Sequence, residues 1–315
     1  MSRNNLASEA RLPEELLREN ILILLLSTSE ESFCVFPFSG CLPWIIYRHS
    51  GHPTSKPPPS CSALLVCKRW LRVGTPLLYE SLSIWSPSHT KAVAALIRSN
   101  PIVGKAIRRL RIEGGCGKNL HTIVRHAPNV HTLYICVHVK ASEGIAGLRK
   151  ALPLLQPRKL YWQHSYLRSN KPATEAKELL QKCIAGGWTS LRSVVLDESF
   201  DMNVDIATAL STAPALEDLV LENNSNTRQW AARGFYNTIG QNPRLKEIRM
   251  MSVTGKDKLL ASLQEAGTSE RVTKMFTFLE TRDDRWLADY DTSSSSSSSS
   301  SADESSSFYS SSDDD

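Results

Sequence analysis

From Tyr79 onward the apolar residues recur with one local spacing, apolar-x-x-apolar-x-apolar. Six segments carry it: Tyr79/Leu82/Ile84, Ile107/Leu110/Ile112, Val130/Leu133/Ile135, Leu191/Val194/Leu196, Leu216/Leu219/Leu221 and Leu245/Ile248/Met250. A poorer copy, Pro157/Leu160/Trp162, falls between the third and fourth. The last two apolar positions flank a single residue, which suits a short strand with one face buried, and the first suits the turn leading into it. Between these segments the pattern predicts helices over about 88–99, 119–127, 142–152, 174–185, 203–213, 228–241 and 256–266. Many stop at Pro101, Pro128, Pro153, Pro214 or Pro243. Proline disfavours helical geometry in the residue before it and offers no backbone donor to the next turn.

The middle apolar residues of successive segments are 28, 23, 27, 34, 25 and 29 positions apart. These intervals bracket the leucine-rich repeat length of about 20–29, with the longest needing an insertion. The pattern resembles a degenerate leucine-rich repeat. Its ladder asparagine is absent from every segment except at Asn224, so the turns must be satisfied in another way. The fold expected is α/β, an irregular leucine-rich-repeat-like arc of parallel strands backed by helices over 81–290, each unit burying its apolar face by stacking on its neighbours. An ordinary α/β domain with right-handed crossovers gives the same alternation and stays open. Val272, Met275, Phe276 and Phe278 are placed to close the end of the arc.

The N-terminal part reads differently. Over 12–26, Leu17, Ile21, Leu24 and Leu25 share one helical face, Pro13 suits the first turn, and Glu14 and Glu15 complement the helix dipole. The stretch 27–60 holds Pro37, Pro43, Pro53 and Pro57-Pro58-Pro59, so it is not regular structure throughout. Its patch of Phe33, Phe36, Phe38, Trp44, Ile45, Ile46 and Tyr47 is too apolar for a pure linker, so part of it is expected to pack on the N-terminal helices. A second helix is predicted over about 61–73, ending before Pro76.

Leu12-Pro13-Glu14-Glu15-Leu16-Leu17, answered by Ala63-Leu64-Leu65-Val66-Cys67-Lys68-Arg69-Trp70 and Thr75-Pro76-Leu77-Leu78-Tyr79, resembles the two ends of an F-box. The similarity is to the F-box proteins abundant in mushroom-forming fungi, and Ala106-Ile107-Arg108-Arg109-Leu110-Arg111-Ile112-Glu113-Gly114-Gly115 extends it. The resemblance implies a small all-α F-box-like module over 11–80, interrupted by the insertion 27–60. That module would dock on a Skp-type adaptor and, through it, a cullin, while the rest of the chain captures a target protein for ubiquitination. Carried over residue by residue, the adaptor contact falls to Leu12, Pro13, Leu16, Leu17 and Ile21, and to Leu65, Val66, Cys67 and Trp70. Two departures stand against it: Asn20 replaces an aliphatic residue, and Leu12 to Trp70 spans 58 positions, longer than a compact box. The alternative is a ligase-independent interaction scaffold whose box is degenerate.

Composition adds bounds. A hydrophobic content of 41% over 315 residues supports a sizeable core. The apolar run Ile21 to Leu26 is too short to span a bilayer and follows Glu14, Glu15, Arg18 and Glu19, so neither a membrane span nor a signal peptide is expected. Seven scattered cysteines give no disulfide framework and suit an intracellular setting, cytoplasm or nucleus. The net charge of +5 hides an asymmetry: residues 291–315 hold six acids and no Lys or Arg, leaving +11 on the remainder. No basic cluster interleaves with aromatics along the chain, so nucleic acid is not the expected partner. The tail, with its serine run from Ser293 to Ser301, should be disordered. Ser300, Ser301, Ser310, Ser311 and Ser312 each precede an acid by three residues, a placement suited to acidophilic kinases.

Enzymatic chemistry finds little support. Gly114-Gly115-Cys116-Gly117-Lys118-Asn119 lacks the first glycine and the Ser/Thr of a phosphate loop, so it reads as a tight turn out of a strand. Cys116, His121, His126, His131 and Cys136 recur every five residues, a spacing that matches no zinc motif, and the cysteines and histidines between Cys34 and Cys67 form no close Cys-x-x-Cys knuckle. No Gly-x-Ser-x-Gly elbow occurs. Neither metal, cofactor nor catalytic residues are expected.

Overall fold

The computed structural model describes residues 13–22, 33, 64–137, 139–140, 144–163, 170–196, 203–221, 227–251 and 256–279. Residues 36–47, Asn224 and the serine-rich tail with its five candidate phosphosites lie outside them, as does Leu12.

At the N-terminal end, helix α1 (Glu14–Leu16) continues as a π-helical stretch, Leu17–Leu22. Helix α2 spans Lys68–Leu78. It starts seven residues later than the spacing predicts, because extended Cys67 stands at its N-terminus (φ −162°, ψ 168°), and it runs through Pro76 instead of stopping before it. Pro76 leaves the Arg72 carbonyl without its usual helical donor. The helix survives because Trp70, Val73, Leu77 and Leu78 anchor it on Leu17, Leu22 and Leu64.

Eight strands follow: β1 (Ser81–Ile84), β2 (Arg109–Glu113), β3 (Thr132–Cys136), β4 (Lys159–Gln163), β5 (Ser193–Leu196), β6 (Asp218–Leu221), β7 (Glu247–Met251) and β8 (Phe276–Leu279). They form one parallel sheet whose spatial order is the sequence order. All seven segments marked by the apolar spacing are strands. Their middle residues stand in one register row, Leu82, Leu110, Leu133, Leu160, Val194, Leu219 and Ile248, and Phe276 completes it. The stretch read as a closing element is thus an eighth strand, unmarked by the pattern because its first position is the polar Thr273.

Among the described residues ten further helices connect the strands: α3 (Pro87–Ser99), α4 (Pro101–Ala106), α5 (Leu120–Arg125), α6 (Ala146–Ala151), α7 (Lys171–Lys182), α8 (Val204–Ser211), α9 (Thr227–Ala232), α10 (Phe235–Ile239), α11 (Lys256–Glu265) and α12 (Glu270–Thr273). Capping fixes several starts: Ser86 accepts from the His89 amide (3.1 Å), Asn170 from Ala173 (2.9 Å) and Asn203 from Ile206 (3.0 Å). Pro101 does more than stop α3, since it opens α4 at a position where the missing donor costs nothing. The 34-residue interval holds α7 and its π-helical extension Cys183–Gly187, closed by Trp188, which is fully buried and donates its indole N–H to the Leu152 carbonyl at 3.0 Å.

The main core lies between the helices and one face of the sheet, where Leu110, Ile112, Leu133, Ile135, Leu160 and Trp162 meet Ile97, Ile123, Leu148 and Leu180. The turns into the strands are joined by a backbone ladder. The Arg108 carbonyl accepts from the amides of His131 (2.9 Å) and Thr132 (3.2 Å), His131 accepts likewise from Arg158 and Lys159, Arg158 from Arg192 and Ser193, and Arg192 from Glu217 and Asp218. Side-chain amides then stitch one unit to the next. Asn129 donates to Lys105, Gln156 to Gly187, and buried Asn242 to both Leu210 and Ala213. These bonds satisfy the turns that lack a ladder asparagine.

Candidate functional site

The residues assigned to the adaptor contact divide into three groups. Leu17 is 2% exposed and forms the small core with Leu22, Leu64 and Leu77, against which Trp70 packs half-buried. Those two hold the helices together and do not point outward. Leu16, Leu65 and Val66 are exposed by 43%, 84% and 61%, beside exposed Pro13 and Cys67. Ile21 lies in the π-helical stretch, its side chain outside the described residues, as is all of Leu12. Glu14 ties the two helices, pairing with Arg72 and, at 3.6 Å, with Arg69.

Leu71, 48% exposed, joins the outward apolar set. It falls off the inward stripe of Trp70, Val73, Leu77 and Leu78, and that departure is the signal by which it could have been found. Leu16, Leu65, Val66 and Leu71 together leave apolar area in water.

The second face of the sheet, turned away from the helices, is the larger discovery. Alternation predicts one buried face, yet every residue of β3, and the last four residues of β2 and of β4, are buried on both sides. On this face Tyr134, Cys136, Tyr161 and Val195 form a second cluster, and Phe33 lies on it, 3% exposed. Part of the patch that begins at Phe33 is expected against the N-terminal helices. Phe33 packs on the sheet, against Tyr134 and Tyr161, while the rest of the patch lies outside the described residues.

Charge is woven into the same face. The Arg111 guanidinium lies 3.8 Å from the Tyr134 ring centroid, pairs with Glu113, and donates to the Phe33 carbonyl at 2.7 Å. Arg109 stands 5.6 Å from the Phe33 ring and Lys159 4.8 Å from that of Tyr161. Tyr134 donates its hydroxyl to Gln163. Burial pushes the Glu113 carboxyl above its ordinary value, against the pull of Arg111. Cations and aromatics do interleave here, across strands where no linear motif could reveal them.

At the strand entrances the backbone ladder lines up Arg108, His131, Arg158 and Arg192, neighbours one strand apart; strand spacing is about 4.8 Å. The three arginines are exposed. Burial, then the charges of Arg108 and Arg158, lower the His131 pKa, with Glu80 opposing.

The glycine-rich segment is a tight turn, as expected: Gly114 and Gly117 have φ of 84° and 67°. Three of the five regularly spaced cysteines and histidines, Cys116, His126 and His131, have local partners. Cys116 Sγ lies 3.5 Å from the Glu113 carbonyl, His126 Nδ1 2.8 Å from that of Thr122, and His131 Nδ1 3.0 Å from the Thr132 hydroxyl. Among the described residues no group of three His, Cys, Asp or Glu could hold a metal ion, and no helix is long and apolar enough to cross a membrane. No protein-family model matches the chain, and no curated protein matches it.

Proposed function

We propose that the chain is the non-catalytic target-recognition subunit of a Skp/cullin/F-box ubiquitin ligase. The helices around Leu17 and Trp70 are its F-box-like module, and the parallel sheet with its helices is a leucine-rich-repeat-like domain that captures the target. Its contribution is effective concentration, holding a target lysine near the charged ubiquitin carrier. One observation carries the reading: Leu16, Leu65 and Val66, which the F-box resemblance assigns to adaptor contact, are large apolar side chains exposed to solvent, while Leu17 supplies the module's core.

Co-expression of the full chain with a fungal Skp-type adaptor tests it. Wild type should bind, and Leu65→Asp/Val66→Asp should lose binding with an unchanged melting temperature, because neither side chain is packed. Leu17→Asp should lose both. An adaptor that ignores the wild-type chain would sink the ligase assignment and leave a ligase-independent scaffold.

A further inference from the structure

We propose that the rim of the sheet at the entrances of β2 to β5 docks a short acidic peptide segment of the target, gripped by Arg108, Arg158 and Arg192. This deepens the target-recognition reading and rests on it. The residue before each strand is one step of a single backbone ladder, which runs Glu80, Arg108, His131, Arg158, Arg192, Glu217, Lys246. The steps from Arg108 to Arg192 carry three arginines and a histidine and no acid. All three arginines are exposed, and among the described residues none of them forms an ion pair.

Like charges on adjacent strands repel, and a rim that needed only to be solvated could alternate their signs. It does so at the next two steps, where Glu217 and Lys246 pair at 2.7 Å. Burial, and then the charges of Arg108 and Arg158 on either side, hold the His131 imidazole below its ordinary pKa, so the arginines act on one another's surroundings as a single field. An anion seated along the row relieves that repulsion, and the planar guanidinium fork matches a carboxylate better than an ammonium does. Length selects the kind of anion. From Arg108 to Arg192 the row crosses three strand spacings of about 4.8 Å, about 14 Å in all, which an extended peptide covers in about four or five residues. Glu80 and Glu217 stand at its two ends. They turn away a polyanion that continues past the row, so the rim fits a short acidic motif and not a nucleic-acid backbone.

The probe is a rhodamine-labelled peptide, Ser-Glu-Ser-Glu-Ser-Glu-Ser, titrated with the full chain by anisotropy at low salt. Wild type should bind it and should ignore a peptide with glutamine in place of each glutamate. Arg158→Gln/Arg192→Gln should weaken binding about fivefold or more while melting as wild type does, since both side chains are exposed. Lys118→Gln/Lys171→Gln removes the same charge at exposed positions beyond the opposite ends of β2 and β4, and its affinity should stay within about twofold of wild type. The proposal is overturned if wild type ignores the acidic peptide, if the arginine pair binds it as wild type does, or if the lysine pair weakens it as much as the arginine pair. Tighter binding of an oligouridylate than of the peptide would also overturn it. The adaptor assay reads the helices around Leu17 and Trp70 and not this rim, so its success alongside a failed titration would remove this inference alone.

Discussion

Arg111 and Tyr134 are direct partners in the β2–β3 register, and the guanidinium lies 3.8 Å from the ring centroid. A cation stacked on an aromatic face, and paired with Glu113 on its own strand, is a costly thing to bury. Arg111→Leu should therefore destabilise the fold by about 3–5 kcal/mol, because Glu113 is left as an uncompensated buried charge. Urea denaturation of the two proteins measures it.

Glu113 should make stability depend on pH in a definite direction. Its folded pKa is raised above the ordinary value of 4.5, so the native state holds the proton longer than the unfolded state does. That contribution is fully present below about 4.5 and is lost as pH rises through the folded pKa. Wild type should gain on Glu113→Gln when both are moved from pH 7 toward pH 4.5. An unchanged difference between their unfolding free energies would contradict the assignment.

Gly147 on α6 meets the turn after β2 so closely that a Cβ there would come within 2.0 Å of the Gly117 carbonyl. Gly147→Ala must shift backbone, and a loss of about 1–3 kcal/mol is expected. Gly144 has nothing within 4 Å of the same atom, so Gly144→Ala should leave the melting temperature within about a degree or two of wild type. Thermal melts of the pair separate close approach from generic glycine loss.

Asn242 donates to the Leu210 and Ala213 carbonyls, each at 2.9 Å, and accepts from the Arg244 amide. Asn242→Ala leaves two buried carbonyls short of a donor, at about 1–3 kcal/mol. Asn242→Asp should be at least as damaging, since it keeps the acceptor and turns a charge toward those carbonyls. Hydrogen exchange near α8 and β7 should rise in both.

Cysteine reactivity should divide sharply. Burial pushes the Cys183 thiol up to about 11, whereas Cys67 is exposed at the start of α2. Native labelling with iodoacetamide at pH 8, read by mass spectrometry, should modify Cys67 and spare Cys183 until the chain is unfolded. Comparable rates at both would contradict the burial.

Apolar periodicity carried most of the architecture. Leu110-x-Ile112 and its counterparts announce strands because side chains alternate across a pleat, and seven such segments occupy one sheet in register. Where a local rule met a tertiary contact, the contact won. Pro76 sits inside α2 because Leu77 and Leu78 hold the helix on a core, and Thr273 hid β8 although Phe276 pairs directly with Ile248. The F-box resemblance assigns Leu16, Leu17, Leu65 and Trp70 alike to adaptor contact, and only packing separates exposed Leu16 and Leu65 from buried Leu17 and half-buried Trp70.

The amino-acid sequence by itself determined an α/β chain of repeating strand and helix, because hydrophobic period is a local property written along the backbone. That the second face of the sheet is aromatic and basic at once, with Phe33 packed on it, follows from contacts between strands. Arg111, Tyr134 and Tyr161 are separated by more than a full strand-helix unit from first to last, and only parallel stacking in register makes them neighbours.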